Sequence, residues 1–238
     1  NFDIVRYDYY RDQAIALEAF KAGLYDFRFE GSSKDWATGY NFPARKRGNV
    51  KTALLKHSRP VGMQAFAFNT RRPQFKSKLV RQALAYAFDF EWSNRQLFYG
   101  QYSRTTSYFE NSDLAATALP TAEELKILEP LRGKVPDEIF KEIYKPAKTD
   151  GSGNNRRNLR NATRLLKKAG WKIINNQLVS PTTGKPMEIE FLLVSPAFER
   201  VVSPFIRNLK RLGIKGRIRT VDPAQYQNRV RDFDYDAI

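Results

Sequence analysis

The sequence contains no cysteine and one histidine, His57. Without cysteine there is no disulfide frame and no thiolate metal site, which suits an oxidising compartment without requiring one. With a single histidine, a histidine-rich metal site or a Ser-His-Asp triad would have to be built around His57. That residue sits between Lys56 and Ser58, with no carboxylate close in sequence to orient it. Long apolar runs are missing as well: nothing approaches the roughly 18 residues of a membrane-spanning helix. Acid is missing locally. From Gly151 to Met187 there are eight Lys or Arg and no Asp or Glu, and from Val201 to Val221 there are six, again without acid. A charged-then-apolar leader is not seen either. The opening FDIV reads as strand and the closing Phe233-Asp-Tyr-Asp-Ala-Ile238 as a strand that has just begun. The sequence is therefore expected to be a piece of a longer chain, with any signal peptide outside it.

What is present describes a folded protein. At 238 residues, 42% hydrophobic and 13% aromatic, the chain has material for one large domain or two small ones and is far from a disordered composition. The net charge of +16 (41 basic less 25 acidic) is its most unusual bulk property. Such a field attracts nucleic acid, an anionic membrane or an acidic ligand. The plainer reading is a solvated basic surface, since no nucleic-acid module is recognisable beside the charge. A basic nucleic-acid-binding domain is the alternative that the charge keeps open.

Read in order, the pattern alternates strand and helix. Phe2 to Arg6 reads as a strand, Asp12 to Ala22 as a helix ended by Gly23, Leu24 to Phe29 as a strand, Ser32 or Ser33 as the cap of a short helix, and Val50 to Lys56 as a further strand. Met63 to Asn69 alternates like a strand. Val80, Leu84, Ala87 and Phe88 then share one helical face, and a short amphipathic segment from Glu91 to Tyr99 stops at Gly100. Residues 101–153 carry four prolines and one helical patch, Ala122 to Leu131, but keep their aromatics, so they read as a surface excursion rather than a linker. A helix bearing Leu159, Ala162, Leu165, Leu166 and Ala169 follows. After it come a hairpin turning at Asn175-Asn176, a strand from Met187 to Leu193, a helical stripe from Phe198 to Leu212 interrupted by Pro204, a strand from Ile214 to Val221 and a helix opened by Pro223. The alternation implies an α/β fold, a mixed sheet flanked by helices.

No pattern makes a convincing enzyme. Glu188 and Glu190 share one strand face but read as paired ions beside a basic surface. Glu123-Glu124 and Asp234/Asp236 lack metal-loop spacing. Gly151-Ser-Gly-Asn-Asn lacks the lysine and hydroxyl of a phosphate loop and reads as a helix entrance. No catalytic residue, metal or cofactor is expected.

Residue identities add a resemblance. Phe68-Asn69-Thr70, then Phe75, then Val80-Arg-Gln-Ala-Leu-Ala-Tyr-Ala-Phe-Asp89 resembles the signature of the family 5 extracellular solute-binding proteins, the oligopeptide, dipeptide and nickel receptors of ABC importers. Ala22-Gly-Leu-Tyr-Asp26, Leu165-Leu166 with Ala169-Gly-Trp171, Gly213-Ile214 and Phe233-Asp234 resemble further family motifs, in the family's order. The run Ser103 to Gly153 is most similar to the YejA-type branch, which is associated with uptake of peptides and peptide-like antibiotics.

The resemblance implies a periplasmic-binding-protein-like lobe (type II, cluster C) spanning 1–238, most of the second lobe of a two-lobed clamp. It implies a periplasmic monomer that closes on an oligopeptide or peptide-like ligand and delivers it to an inner-membrane ABC permease, with no nucleic acid involved. In the oligopeptide receptors an acidic residue that pairs with the peptide amino group follows the Phe233-Asp234 motif, at a position beyond Ile238. The resemblance also puts one cleft wall along Met63 to Asn69, where Ala65 and Ala67 leave room and Gln64, Phe66 and Asn69 offer an amide, an aromatic face and a second amide. Which alternate set faces the cleft is open, as is the plainer reading that these are core and turn residues.

Overall fold

A computed structural model describes residues 2–238. They divide into two compact units. The first runs to His57 and includes Phe98–Gln101; the second comprises Ser58–Leu97 and Tyr102–Ile238.

The first unit is built from short, locally specified helices. Asp12 caps α1 (Gln13–Lys21), its carboxylate accepting from Ala14 N at 2.7 Å, and Gly23 follows at φ +75°, the left-handed position where glycine carries no Cβ penalty. Ser32 caps α2 (Ser33–Thr38) through Asp35 N, and Pro43 opens α3 (Pro43–Lys46). Leu17, Tyr40 and Phe42 make a small core with Phe20, Ala44 and Val50 against it. Beside it Glu30 accepts from Tyr40 Oη (2.9 Å) and Arg28 Nε (3.1 Å), while Arg28 also reaches Tyr25 Oη at 3.1 Å.

The strands expected at Phe2 to Arg6, Leu24 to Phe29 and Val50 to Lys56 are not formed: among the described residues these segments have no ladder partner. Phe2, Ile4, Phe27 and Phe29 are 77–89% exposed. Sequence alternation can mark a segment for a strand, but the strand itself exists only as a pairing, and no described backbone in this unit supplies one.

The second unit holds the sheet and the main core. Its elements in order are α4 (Lys78–Ala87), α5 (Phe90–Leu97), α6 (Ala122–Leu128), α7 (Glu138–Lys141), α8 (Arg156–Lys168), the hairpin β1 (Lys172–Ile174) and β2 (Gln177–Val179), β3 (Glu188–Leu193), α9 (Glu199–Arg211), β4 (Lys215–Thr220) and α10 (Pro223–Arg231). The hairpin turns at Asn175 and Asn176, at φ +49° and +61°, the left-handed pair of a type I′ turn. β3 and β4 pair in parallel, Glu188 opposite Lys215 through Leu193 opposite Thr220. Ala237 then bridges Phe191 in parallel on one side and Phe68 in antiparallel on the other. The sheet order is thus 67–69, 236–238, β3, β4. Among the described residues the expected strand Met63 to Asn69 is ladder-bonded only at its end, through Ala67 and Asn69 to Ile238 and Asp236.

β3 is buried from Ile189 onward. Ile189, Phe191 and Leu193 join Val80, Leu84, Leu166, Val202, Phe205 and Leu209 of the covering helices in one core. Four rings lock its centre: Phe66, Phe88, Phe191 and Phe205, with centroids 5.3–5.6 Å apart in tilted and edge-to-face pairs. Pro204 lies inside α9 without ending it. On the other face of β3, Glu190 is buried but paired with Arg229 of α10 (2.7 Å) and with Arg217 (3.1 Å). Glu188 pairs with Lys215 at 2.9 Å. Both carboxylates are therefore paired ions, as their surroundings in sequence suggest.

Candidate functional site: the open edge of the sheet

β3, β4 and 236–238 run in parallel, so Leu193, Thr220 and Ile238 end at one edge of the sheet. In open α/β sheets ligands bind outside the carboxyl ends of the strands. The chain enters its antiparallel pairing at Ala67, opposite Ile238, so the preceding residues 62–66 extend past the end of the 236–238 strand.

The hydrogen bonds fix how this segment is turned. Ala67 N donates to Ile238 O (2.8 Å), Ile238 N donates to Ala67 O (3.2 Å), and Asn69 N donates to Asp236 O (2.9 Å). Because backbone groups alternate along a strand, those of Gln64, Phe66 and Phe68 point to the opposite side. There they make no hydrogen bond among the described residues. Side chains alternate at right angles to this. Phe66 and Phe68 pack against the core, whereas Gln64, Ala65 and Ala67 are exposed. The entry to the segment is tied down: Val61 N donates to Glu110 O at 2.8 Å, and the Glu110 carboxylate accepts from Thr106 N and Ser107 N. Those two backbone donors hold the Glu110 pKa below its ordinary value.

The residues singled out from sequence thus separate into two groups. Gln64, Ala65 and Ala67 are all exposed, Ala65 and Ala67 on the outward side of the run and Gln64, before the buried part begins, on the side of Phe66. Phe66 is a member of the four-ring cluster. Asn69 is buried; its Nδ2 donates to Phe233 O (2.8 Å) and Tyr235 O (3.0 Å), and its Oδ1 accepts from Arg71 N (3.0 Å). These bonds hold Phe233 at φ +54°, an uncommon conformation for a non-glycine residue. Arg72 completes the clasp with Asp234 (3.1 Å) and Asp236 (3.5 Å).

Val194 and Phe198, half-exposed where β3 gives way to α9, lie at the same carboxyl edge and were not anticipated. Placing two parallel strands side by side would have found them, and a one-dimensional pattern does not. Among the described residues no group of His, Cys, Asp or Glu is placed to hold a metal ion, and no helix is long and apolar enough to cross a membrane. The basic run on α8 lies on its solvent face: Arg156, Arg157, Arg160, Arg164, Lys167 and Lys168 are exposed, opposite buried Leu159, Ala162 and Leu166.

A mixed sheet between helices, with an open strand passing the carboxyl ends of its parallel members, defines a lobe of the periplasmic-binding-protein type. The family model for bacterial extracellular solute-binding proteins, family 5 (middle region), matches residues 1–238, and the chain belongs to that family. It is 47% identical over 238 residues to the "Probable peptide-binding protein YejA" of Agrobacterium fabrum, covering 99% of this chain and 39% of that protein's length. Among solved structures it is similar to the oligopeptide-binding protein AppA of Bacillus subtilis in complex with a nonapeptide, with TM-score 0.63 and 21% identity over 95% of this chain and 38% of that one. It is also similar to NikA of Brucella suis in complex with Fe(III)-EDTA, with TM-score 0.61 and 23% identity over 95% of this chain and 39% of that one. At those identities the structures speak for the fold, an α/β lobe.

Proposed function

We propose that this chain is part of a peptide receptor for an ABC importer: one α/β lobe, residues 1–238, with 101–153 as a surface excursion. It captures an oligopeptide or peptide-like ligand in an interlobe cleft, acts as a periplasmic monomer, and delivers its cargo to an inner-membrane permease without catalysis or a cofactor. One observation carries the reading. Among the described residues the outward backbone groups of Gln64, Phe66 and Phe68 make no hydrogen bond, beside the small side chains Ala65 and Ala67. An extended peptide can add to such an edge as a strand, taking affinity from backbone hydrogen bonds and leaving its side chains in wet pockets. In this reading Ala65 and Ala67 along the run and the exposed Gln64 at its entry contact the ligand, while Phe66 and Asn69 position the wall from behind.

Family membership and the peptide-binding name of the Agrobacterium relative favour this reading over a basic nucleic-acid-binding domain. The test is native mass spectrometry of the full natural chain carrying this sequence, purified gently from its own cell envelope. A peptide-sized adduct that leaves on denaturation is expected. A chain that carries nucleic acid, or nothing, overturns the proposal.

A further inference from the structure

Several partly buried or bridging arginines of the second unit are matched. Arg229 holds Glu190 and Asp234, Arg72 holds Asp234 and Asp236, Arg81 caps the carbonyls of Phe75 and Lys76, and Arg95 reaches those of Asp150 and Gly151. Arg104 differs. It is partly buried, and among the described residues it makes no hydrogen bond and no ion pair. Its guanidinium lies instead over two rings, 5.4 Å from the centroid of Phe88 and 5.2 Å from that of Phe90. Burial pushes its pKa below the ordinary guanidinium range, against the opposing fields of Tyr144 and Glu91. The Glu91 carboxylate, whose field acts on Arg104, accepts from Thr149 N (3.0 Å) and Thr149 Oγ1 (3.3 Å) through Oε2 and makes no ion pair with Arg104 among the described residues.

A desolvated cation without an ion-pair partner is costly, and a fold keeps one only where something repays it. Stacking on aromatic faces supports a guanidinium without consuming its in-plane N–H donors, which stay available for two-point binding of a carboxylate. The location is apt. Phe88 packs 5.6 Å from Phe66, so Arg104 is linked through one ring to the open strand, on the side that Gln64 shares with Phe66.

We propose that Arg104 is a ligand-binding residue that holds a carboxylate of the bound peptide. This rests on the receptor reading above and adds the charge class of the group that is recognised.

The test uses the full natural chain and a tryptic digest of casein, presented as it is and after methyl esterification of every carboxyl group, with retained peptides counted by mass spectrometry. Wild-type protein is expected to prefer the free-acid digest by roughly ten- to a hundredfold, the scale of a charge-assisted hydrogen-bonded pair. Arg104→Gln should lower retention of the free-acid digest to the level of the ester, and Arg104→Lys should restore part of the preference. An unchanged preference in Arg104→Gln overturns the carboxylate role and leaves the receptor reading standing. A lowered melting temperature with that preference intact does the same and makes Arg104 a brace between rings. Wild-type protein that retains neither digest overturns the receptor reading and this inference with it.

Discussion

The two units of this chain reach order by different routes. In the first, order is local. Capping oxygens at Asp12 and Ser32, a proline at Pro43 and a buried Glu30–Tyr40–Arg28 network hold three short helices around a three-residue core. In the second, order comes from contacts between residues far apart in sequence. Phe66, Phe88, Phe191 and Phe205 come from four separate stretches and meet in one cluster, and Ala237 joins Phe68 to Phe191 across the sheet. The difference decides which sequence signals become structure. Caps act within a turn of where they stand, so both units realise them. Strand signals need a partner, so alternation at Met187 to Leu193 yields β3 while alternation at Phe2 to Arg6 yields exposed, unpaired chain.

The largest expected effect breaks the nonlocal side. Phe191→Ala removes a fully buried ring that touches two of the other three in its cluster and lies under the Ala237 bridge. It should cost about 3–5 kcal/mol in chemical denaturation. The near-ultraviolet signal of the second unit should be lost at lower denaturant, while the helices of the first unit melt where they did. A single transition shifted as a whole would show that the two units are energetically one, and would break the comparison.

How much could be read in advance follows the same division. The helices α4, α8 and α9 were legible because their apolar residues recur at helical spacing, and α10 because Pro223 suits a first turn. The Asn175-Asn176 turn was legible because a left-handed pair favours asparagine. The parallel pairing of β3 with β4, and the antiparallel return of 67–69, were not. Pairing partners in a mixed sheet are chosen by tertiary packing, and no local rule names them. The site shows the same limit. Sequence singled out the stretch Gln64 to Asn69, but only the bonds from Ala67 and Asn69 to the C-terminal segment show which groups turn outward. Asn69 looked like a ligand amide because an amide that clasps two backbone carbonyls and one that awaits a peptide are the same residue in sequence.

Asn69→Ala sharpens that point at intermediate cost. It strips the donor from Phe233 O and Tyr235 O and leaves Phe233 at φ +54° without its restraint. A loss of about 2 kcal/mol is expected, the scale of buried hydrogen-bonding groups left unmade. Hydrogen exchange should rise at Ile238 and Ala67, whose ladder the clasp supports. Weakened peptide binding with stability and exchange unchanged would make Asn69 a direct ligand contact instead.

The smallest effect belongs to the first unit and is read by pH. Burial, followed by the hydrogen bond to Glu30, pushes the Tyr40 hydroxyl up to about 12 from its ordinary value of 10.0. A raised folded-state pKa means that the folded chain keeps this proton after the unfolded chain has released it. The associated stability is therefore complete below about pH 10 and is lost as pH climbs through about 12. Tyr40→Phe removes the proton and the hydrogen bond together, at about 1 kcal/mol near neutral pH. Its stability should then decline less between those two pH values than that of the parent chain. The readout is tyrosinate absorbance paired with denaturation midpoints across the window. An equal decline in both proteins would place the alkaline loss in the second unit and remove the buried network as what holds the first together.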